Sequence, residues 1–484
     1  MSLKKLNRKN AGPEGMQRPI KVLQFGGGNF LRAFADWMID IVNEKTGFNG
    51  NVEIVLSIRQ GAADVINAQD GLFHVVTNGF FQGQTVSDTR LVRSVAGAFN
   101  PGNDYPRFLH AAENPDLQII LSNTTEAGIA FYADDTSPST LPESFPGKLT
   151  ALLYHRFQHF NGAVDKGAVI IPCELIEKNG ETLRQIVLQF ADHWSLPETF
   201  KQWITGANTF CNTLVDRIVP GFPKDTIADI QQATGYEDNL VVSAEPYYLW
   251  VIEGDETVQK KFPLEQAGLQ VKFVSDLTPY RTRKVRILNG GHTTLVPVAY
   301  LHGLRTVRES VEDEHTGEFL SRAIFKEIIP TLDGDVNELR TFAGDVLERF
   351  RNPFIRHELA SIALNSISKF KVRVLPSLVN YIETQGKLPQ HLVFSLATLI
   401  YFYKGQWKGQ PLPVNDSPVI IDIFNKAWKD NDTGYAAAYV LANETLWGRD
   451  LTQYKGLTLQ VLDGLNHLKE VEQRDVKNTI PDFL

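Results

Sequence analysis

Cysteine is almost absent from this 484-residue chain, which has only Cys173 and Cys211. Two thiols cannot build a disulfide framework, and their spacing does not match a Cys-x-x-Cys metal motif. Long apolar runs are missing too, because no uncharged stretch approaches the ~20 residues that span a bilayer. Residues 1–17 are polar and basic, unlike a secretory signal. We therefore expect a soluble, cytoplasmic protein.

An excess of positive charge is also missing. The formal net charge is -8, from 48 Lys and Arg against 56 Asp and Glu. Binding to an extended nucleic-acid surface needs an excess of cations, and crossing a membrane needs a long apolar run, so neither partner is expected. The expected partner is a small molecule, and the sequence leaves the assembly open between a monomer and a small homo-oligomer.

The first half of the chain alternates short apolar runs with helical patterns. The runs that predict strands are residues 20–25, 52–58, 117–121 and 168–172. Continuous β-branched runs of this kind predict a parallel sheet that is buried on both faces and built from βαβ units. The fold class expected for residues 1–275 is therefore α/β.

Longer helical patterns take over from about residue 277. They cover residues 319–329, 338–351, 357–367 and 391–403, and proline or glycine separates them. This change of texture predicts a second, mainly α-helical domain over residues 276–484.

A glycine turn follows the first predicted strand. Glycines between a strand and a helix let the backbone approach a pyrophosphate, and the helix then presents free N–H groups to it. Leu31 occupies the position of the third glycine in the dinucleotide fingerprint, so a plain strand-to-helix turn remains an alternative. The candidate cofactor-binding residues of this turn are Phe25, Gly26, Gly27, Gly28, Asn29 and Phe30.

Two further segments follow predicted strands, at the sheet edge where ligands bind in doubly wound folds. Arg59 stands where a ribose-binding carboxylate is expected and would suit a 2′-phosphate, so the choice between NAD and NADP stays open. Asn123, Thr124, Thr125 and Glu126 stand where a nicotinamide ribose would lie, although they are equally good helix-capping residues.

The richest segment in chemical groups opens the helical half. At roughly 100° per residue, Lys284, Leu288 and His292 lie along one side of a helix, with Asn289 about 60° from His292. A lysine can exchange a proton with a carbonyl oxygen, an amide can polarise it, and an imidazole can bind a neighbouring hydroxyl. A solvated basic helix is the alternative, and Gly290-Gly291 argue against it because paired glycines mark a close approach.

These motifs resemble the mannitol dehydrogenase family of long-chain polyol dehydrogenases over nearly the whole chain. The match of Lys-x4-Asn-x2-His is the strongest. The other matching segments are residues 29–32, 124–128, 215–220 and 245–250. The resemblance implies a Rossmann-type amino-terminal domain, a helical carboxy-terminal domain and catalysis without a metal. It assigns Lys284 as acid/base, Asn289 as carbonyl polariser and His292 as substrate ligand.

Within the family, residues 172–180, 283–293 and 352–378 resemble a branch that acts on hexuronates, which implies NADH-dependent reduction of D-tagaturonate to D-altronate. Polyol-oxidising members have an oxygen-polarising Asn where this chain has Leu175, so that role is not carried over. The alternatives are fructuronate reduction, polyol oxidation and a non-catalytic dinucleotide sensor.

A uronate carries a carboxylate that a polyol lacks, and burying it requires a cation or several donors. The chain offers several candidates near the matched motifs, and three of them alternate at a strand-like period that would place them on one face. The candidate substrate-binding residues are Arg281, Arg283, His357, Lys369, Lys371 and Arg373.

Overall fold

The computed structural model describes residues 3–56, 62–124, 128–354, 356–474, 476 and 478–481. The chain divides into two compact units. The first comprises Met1–Asn78 and Thr85–Leu277, and the second comprises Gly79–Gln84 and Thr278–Leu484. Among the described residues, no helix has both the length and the apolar character to cross a membrane.

Nearly all strands of the described residues lie in the first unit. They are β1 (Lys4–Lys5), β2 (Ile20–Phe25), β3 (Asn51–Val55), β4 (Phe73–Phe81), β5 (Gln84–Val92), β6 (Val95–Phe99), β7 (Ile119–Ser122), β8 (Val169–Pro172), β9 (Thr209–Phe210), β10 (Thr213–Asp216), β11 (Tyr236–Glu237), β12 (Val242–Ala244), β13 (Leu249–Glu253), β14 (Val271–Val274), β15 (Gln406–Trp407) and β16 (Gln410–Pro411). The short pair β15–β16 belongs to the second unit.

A six-stranded parallel sheet organises the first unit, in the order β6-β3-β2-β7-β8-β9. Numbered by their sequence along the chain, these strands have the order 3-2-1-4-5-6 of dinucleotide-binding folds. The strand order reverses between β2 and β7, so the carboxyl ends of these two neighbours mark the place where such sheets bind ligands. The predicted parallel sheet is confirmed.

Both faces of this sheet are covered, as the continuous apolar runs predict. Val22, Ile119 and Leu121 belong to one buried cluster, whereas Leu23 and Ile120 belong to another. Successive side chains of a strand point to opposite faces, so the alternation between the two clusters shows that each face has its own core.

Helices pack around the sheets of the first unit. They are α1 (Arg8–Ala11), α2 (Asn29–Leu31), α3 (Trp37–Lys45), α4 (Ala62–Ala68), α5 (Tyr105–His110), α6 (Phe145–His159), α7 (Asn179–His193), α8 (Glu198–Ala207), α9 (Ile227–Thr234) and α10 (Glu256–Lys261). A π-helical turn, Arg32–Asp36, joins α2 and α3 into one continuous run.

The second unit is mainly helical, as expected. Its helices are α11 (Thr278–Arg283), α12 (Gly290–His302), α13 (Val307–Glu312), α14 (Glu314–Arg322), α15 (Val336–Phe350), α16 (Leu359–Ile362), α17 (Ser366–Arg373), α18 (Leu375–Gln385), α19 (Gln390–Phe402), α20 (Pro418–Ala427), α21 (Thr433–Leu441), α22 (Glu444–Trp447) and α23 (Leu457–Arg474). π-helical turns at Lys284–Asn289 and Ala323–Ile328 continue α11 into α12 and extend α14.

Helices α12 and α19 form the centre of the second unit. Every residue of α19 from His391 to Phe402 is buried, and so are nearly all residues of α12. A helix that is buried all round, with little polar surface, belongs inside a bundle rather than on its outside. Helix α12 therefore places the candidate residue His292 on a buried element.

Two sequence predictions for the second unit are wrong in detail. Residues 357–367 do not form one helix, because Asn365 adopts a left-handed conformation (φ 52°) and separates α16 from α17. Lys369, Lys371 and Arg373 lie on helix α17, so the strand-like period does not put them on one face. Positions two apart on a helix lie about 160° apart, whereas Lys369 and Arg373, four apart, are neighbours.

The turn of hairpin β4–β5 belongs to the second unit, although its strands lie mostly in the first. The backbone N–H groups of Gln82 and Gly83 donate to the carboxylate of Glu348 at 2.9 and 2.8 Å. The sequence pattern does not predict this hairpin.

Helix α7 packs tightly against the end of β9 at Gly180, and a substitution there tests this packing. A Cβ atom on Gly180 would lie 2.4 Å from the backbone carbonyl of Cys211, so Gly180→Ala forces two backbone segments apart. We expect it to lower the free energy of unfolding by about 1–3 kcal/mol, measured by urea denaturation. Gly206 in α8 has open space at the same position, so Gly206→Ala should stabilise by about 0.5–1 kcal/mol. Equal effects of the two substitutions would contradict the described packing.

Candidate active site

The glycine turn lies at the reversal point of the sheet. Gly26 has φ 110°, a conformation that side chains disfavour, and its N–H donates to the carbonyl of Val55 at 3.0 Å. A Cβ atom on Gly26 would approach the carbonyl oxygen of Asn123 to 3.1 Å. Glycine is therefore needed for both the backbone angle and the closeness of the two strand ends.

The next two glycines face different surroundings. A Cβ atom on Gly27 would press against the side chains of Leu56 and Ile54, at 3.0 and 3.2 Å. Gly28 is exposed, has nothing within 4 Å of its Cβ position and caps the helical run that begins at Asn29. The first turn of that run has N–H groups without helical partners, so an anion can approach the backbone at Gly28.

Buried ionisable side chains hold the glycine turn in place. Arg32 donates to the carbonyl of Gly27 at 3.2 Å, to the side-chain oxygen of Asn29 at 2.7 Å and to the carbonyl of Leu240. Burial lowers the pKa of Arg32 to about 10, which leaves it charged at neutral pH. Sequence reasoning gave Arg32 no role, although it lies in a matched motif.

Asp36, one turn further along the helical run, is also fully buried. Burial raises its pKa to about 7, while a hydrogen bond from Gln24 and the charge of Arg32 oppose that rise. The Gln24 amide donates to Asp36 at 3.2 Å and to the carbonyl of Gly26 at 3.0 Å. A chain of polar contacts thus runs from the buried carboxyl to the first glycine.

The segment after β7 is fixed to both neighbouring strands. The N–H of Asn123 donates to the carbonyl of Phe25 at 3.2 Å, and its side-chain amide donates to the carbonyl of Cys173 at 2.9 Å. Thr124 donates to Glu174 through its N–H at 2.9 Å and its hydroxyl at 3.0 Å. The two candidate segments at Phe25 and Asn123 therefore meet at the same sheet edge.

Glu174 is a site residue that sequence reasoning missed. It is only 4% exposed, and it accepts a third hydrogen bond from the hydroxyl of Ser122 at 3.0 Å. Burial raises the pKa of Glu174, and the hydrogen bonds from Thr124 and Ser122 counter that rise. One feature of the sequence could have indicated it, because Glu174 follows the apolar strand β8 closely. A carboxylate at the end of a buried strand does not contribute to apolar packing.

The two residues that flank Glu174 differ in burial. Cys173 is buried, and desolvation raises the pKa of its thiol well above the usual range, in agreement with a small packed residue rather than a nucleophile. Leu175 is 60% exposed. Three predicted cofactor residues, Arg59, Thr125 and Glu126, lie outside the described residues.

Arg217, in the matched motif at residues 215–220, contacts the helical run that follows the glycine turn. Arg217 is buried and donates to the carbonyls of Ala33 at 2.5 Å and Glu245 at 3.0 Å. Its guanidinium also lies over the ring of Trp37, 4.5 Å from the centroid. These contacts give the motif a structural role in the first unit.

The segment with Lys284, Asn289 and His292 is helical, as predicted, but it contains a π turn. The N–H of Gly290 donates to the carbonyl of Val285, five residues earlier. In a regular α-helix, Lys284 and Asn289 would lie about 140° apart, at roughly 100° per residue. Because a π turn bonds residues five apart and winds more slowly than an α-helix, it narrows this angle, a geometry that periodicity alone does not predict.

His292 is held between two rings. Its imidazole stacks on Phe350, with centroids 4.0 Å apart, and meets the edge of the His357 ring at 5.0 Å. Burial lowers the pKa of His357, which favours the neutral form of that ring. The structure therefore brings together the predicted residues His292 and His357.

The paired glycines mark close approaches, as predicted. A Cβ atom on Gly290 would lie 3.0 Å from the backbone oxygen of Arg373, and one on Gly291 would lie 3.3 Å from the Ile324 side chain. Arg286 donates to the carbonyl of Val372. The end of α17 is thus fixed against the residue that separates Asn289 from His292.

The remaining predicted cations occupy different surroundings. Arg283 packs against the rings of Tyr280 and Phe342, at 4.5 and 4.9 Å, and pairs with Glu338 at 3.7 Å. Arg281 is half-buried on the same helical run. Lys371 lies against Gly448, since a Cβ atom there would come 3.2 Å from its ammonium nitrogen.

In the part of the chain that the structure describes, no group of three or more His, Cys, Asp or Glu side chains is arranged to hold a metal ion. The candidate residues of the second unit are lysine, arginine and histidine, and those of the first unit include buried carboxyl groups. Proton transfer and hydrogen bonding are the chemistry that this set offers.

Comparisons with known proteins cover both units. Residues 20–266 match the mannitol dehydrogenase Rossmann domain, and residues 276–469 match the mannitol dehydrogenase C-terminal domain. The altronate oxidoreductase of Bacillus subtilis (strain 168) is 48% identical over 471 residues, 97% of this chain and 96% of the relative. That of Escherichia coli O139:H28 (strain E24377A / ETEC) is 45% identical over 479 residues, 98% and 99% of the two chains.

Solved structures share the fold at lower identity. D-sorbitol dehydrogenase in substrate-free form has a TM-score of 0.82 at 23% identity, covering 97% of this chain and 96% of the other. Pseudomonas fluorescens mannitol 2-dehydrogenase, in a ternary complex with NAD and D-mannitol, has a TM-score of 0.69 at 21% identity, covering 97% and 98%. With both units matched, and with relatives this similar over nearly the full length, the chain belongs to the mannitol dehydrogenase family of oxidoreductases that act on a CH–OH group.

Proposed function

We propose that the protein catalyses the reversible, NADH-dependent reduction of D-tagaturonate to D-altronate in hexuronate catabolism. The proposal is supported by the π turn at Lys284–Asn289, which narrows the angle between these two positions, and by the stacking of the His292 ring on Phe350. The substrate class comes from the relatives at 45–48% identity, which are named altronate oxidoreductase.

For the cofactor we propose the reversal point of the sheet, because it joins an exposed helix start at Gly28 to the strand end at Asn123. NAD is the proposed nucleotide, and NADP is the alternative that Arg59 would favour. The proposed ligands are Phe25, Gly26, Gly27, Gly28, Asn29, Phe30, Asn123 and Thr124, together with Arg59, Thr125 and Glu126.

Each catalytic side chain has a separate task. When bound, NADH supplies the hydride that reduces the ketone carbon of the substrate. Lys284 donates a proton to the ketone oxygen during reduction and takes it back during oxidation. Asn289 donates its amide N–H to the same oxygen and favours the negative charge that develops there. His292 binds an adjacent hydroxyl and so fixes the orientation of the ketone.

A direct test compares substrates by the loss of NADH absorbance. We expect turnover with D-tagaturonate and much slower turnover with D-fructuronate and D-fructose, and the same assay with NADPH decides the nucleotide. Preference for fructuronate would reassign the stereochemistry, and preference for fructose would contradict a uronate site. Binding of NADH without turnover of any of the three would favour the sensor.

Lys284→Ala should lower turnover by roughly 10²-fold or more, because no other group in the proposal supplies the proton. The dissociation constant for NADH, measured by fluorescence titration, should stay nearly unchanged. Lys426 on α20 is a matched control, since it is exposed and paired with Asp422, and Lys426→Ala should retain full activity. Loss of NADH binding in Lys284→Ala would contradict the assigned role.

Glu174→Ala should raise KM for NADH by about 10-fold or more, because it leaves the donors of Ser122 and Thr124 without their acceptor. Glu174→Gln keeps one acceptor oxygen and should have a smaller effect. Glu198→Ala, at an exposed carboxylate paired with Lys201, serves as the control. A folded Glu174→Ala protein with unchanged KM for NADH would show that Glu174 does not position the cofactor segment.

A further inference from the structure

The end of helix α17 lies beside the proposed catalytic residues. The backbone oxygen of Arg373 would touch a Cβ atom on Gly290 at 3.0 Å, and Gly290 directly follows Asn289. Arg286, inside the π turn, fastens this end of α17 by donating to Val372. The side chain of Arg373 therefore starts from a backbone position in contact with the catalytic segment.

Arg373 is half-buried, and its pKa is lowered because burial removes water from the guanidinium. Across residues 3–56, 62–124, 128–354 and 356–474, and at 476 and 478–481, no carboxylate forms an ion pair with it. A cation that loses water without gaining a counter-charge is costly, and such a cation at a ligand site is suited to an anion.

Lys369 adds a second positive charge one helical turn earlier. Its pKa is lowered first by burial and then by the charge of Arg373, so the two cations act on each other. The Lys369 ammonium donates to the carbonyl of Ile362 at 2.8 Å. Asp416, the acid whose charge acts on Lys369, already accepts from the hydroxyl of Tyr403 at 2.6 Å. Asp416 therefore offsets part of the charge of Lys369, whereas no carboxylate of the described residues pairs with Arg373.

The other candidate cations fit a carboxylate less well. Arg283 already pairs with Glu338 and packs between two rings. Lys371 lies on the opposite face of α17, against Gly448, and burial favours the uncharged form of His357. Arginine also has the planar fork that binds both oxygens of a carboxylate at once, which lysine lacks.

We infer that Arg373 is the residue that binds the substrate carboxylate and so selects sugar acids over neutral sugars. This inference rests on the proposed function and deepens it, because it assigns the acid specificity to one side chain. The competing explanation is that Arg373 only stabilises the negative end of the α17 dipole, which cations favour without any ligand.

The experiment compares wild-type protein with Arg373→Gln and Arg373→Lys. The measurements are kcat/KM for D-tagaturonate, the inhibition constants of D-altronate and of its uncharged counterpart D-altritol, and the dissociation constant of NADH. In Arg373→Gln we expect kcat/KM for tagaturonate to fall, and the inhibition constant of altronate to rise, by about 10- to 100-fold. Inhibition by altritol and binding of NADH should stay within about twofold, and Arg373→Lys should lie in between.

Lys426→Gln is the matched control, because it removes an exposed positive charge from the last turn of another helix, α20. It should leave the ratio of the altronate and altritol inhibition constants unchanged. Urea unfolding of each variant distinguishes carboxylate binding from a helix-dipole effect. A helix-dipole effect would lower the free energy of unfolding without changing that ratio.

The assignment is overturned if Arg373→Gln raises the inhibition constants of altronate and altritol equally. It is also overturned if neither inhibition constant changes. If the wild-type protein prefers the acid and Arg373→Gln keeps that preference, only the role of Arg373 is lost. A wild-type protein that reduces no ketouronate and binds no altronate contradicts the proposed function itself, and the carboxylate assignment fails with it.

Discussion

The π turn at Lys284–Asn289, in which the N–H of Gly290 bonds to the carbonyls of Val285 and Ile287, sets the geometry of the second unit's candidate catalytic segment. By closing a turn over five residues, it admits one extra residue and rotates everything after it relative to Lys284. The absence of a side chain at Gly290 lets α17 come against the same turn. The angle between Lys284 and Asn289 therefore depends on one local departure from the α-helix.

The first unit solves a similar problem with buried polar side chains. A parallel sheet brings two strand ends together, but loops that leave those ends need fixed conformations to bind a ligand. Arg32 fixes the glycine turn, and Glu174 fixes the segment at Thr124. Buried charges of this kind cost free energy unless each is hydrogen-bonded, and here the bonds go to the two segments proposed to bind the cofactor.

Periodicity and turn chemistry predicted most of the architecture. Strand β2 was predicted with its observed bounds, and the burial of the sheet on both faces followed from its continuous apolar runs. These features depend on local sequence, because a continuous run of apolar residues indicates directly that both faces of the strand are buried. The close approaches at Gly290 and Gly291 were also readable, because paired glycines inside a helix have few other causes.

The features that sequence reasoning missed depend on contacts between distant residues. The π turn at Lys284 has no periodic signature, since its extra residue is accommodated by packing against α17. Lys369 and Arg373 looked strand-like because charges at alternate positions resemble an exposed strand face, and only the left-handed Asn365 reveals where α17 begins. Glu174 carried no motif, and its three hydrogen bonds become visible only when β7 and β8 are neighbours.

The hairpin turn at residues 79–84 has a consequence for how the molecule can be divided and how it matures. Gln82 and Gly83 emerge early in synthesis, yet their acceptor, Glu348, follows 265 residues after Gly83. The helical unit therefore cannot be completed from its own carboxy-terminal sequence, and a single cut after Leu277 would not yield two whole parts. Closing so long a loop costs conformational entropy. The helical unit therefore depends for its completion on a segment that is synthesised well before the rest of that unit.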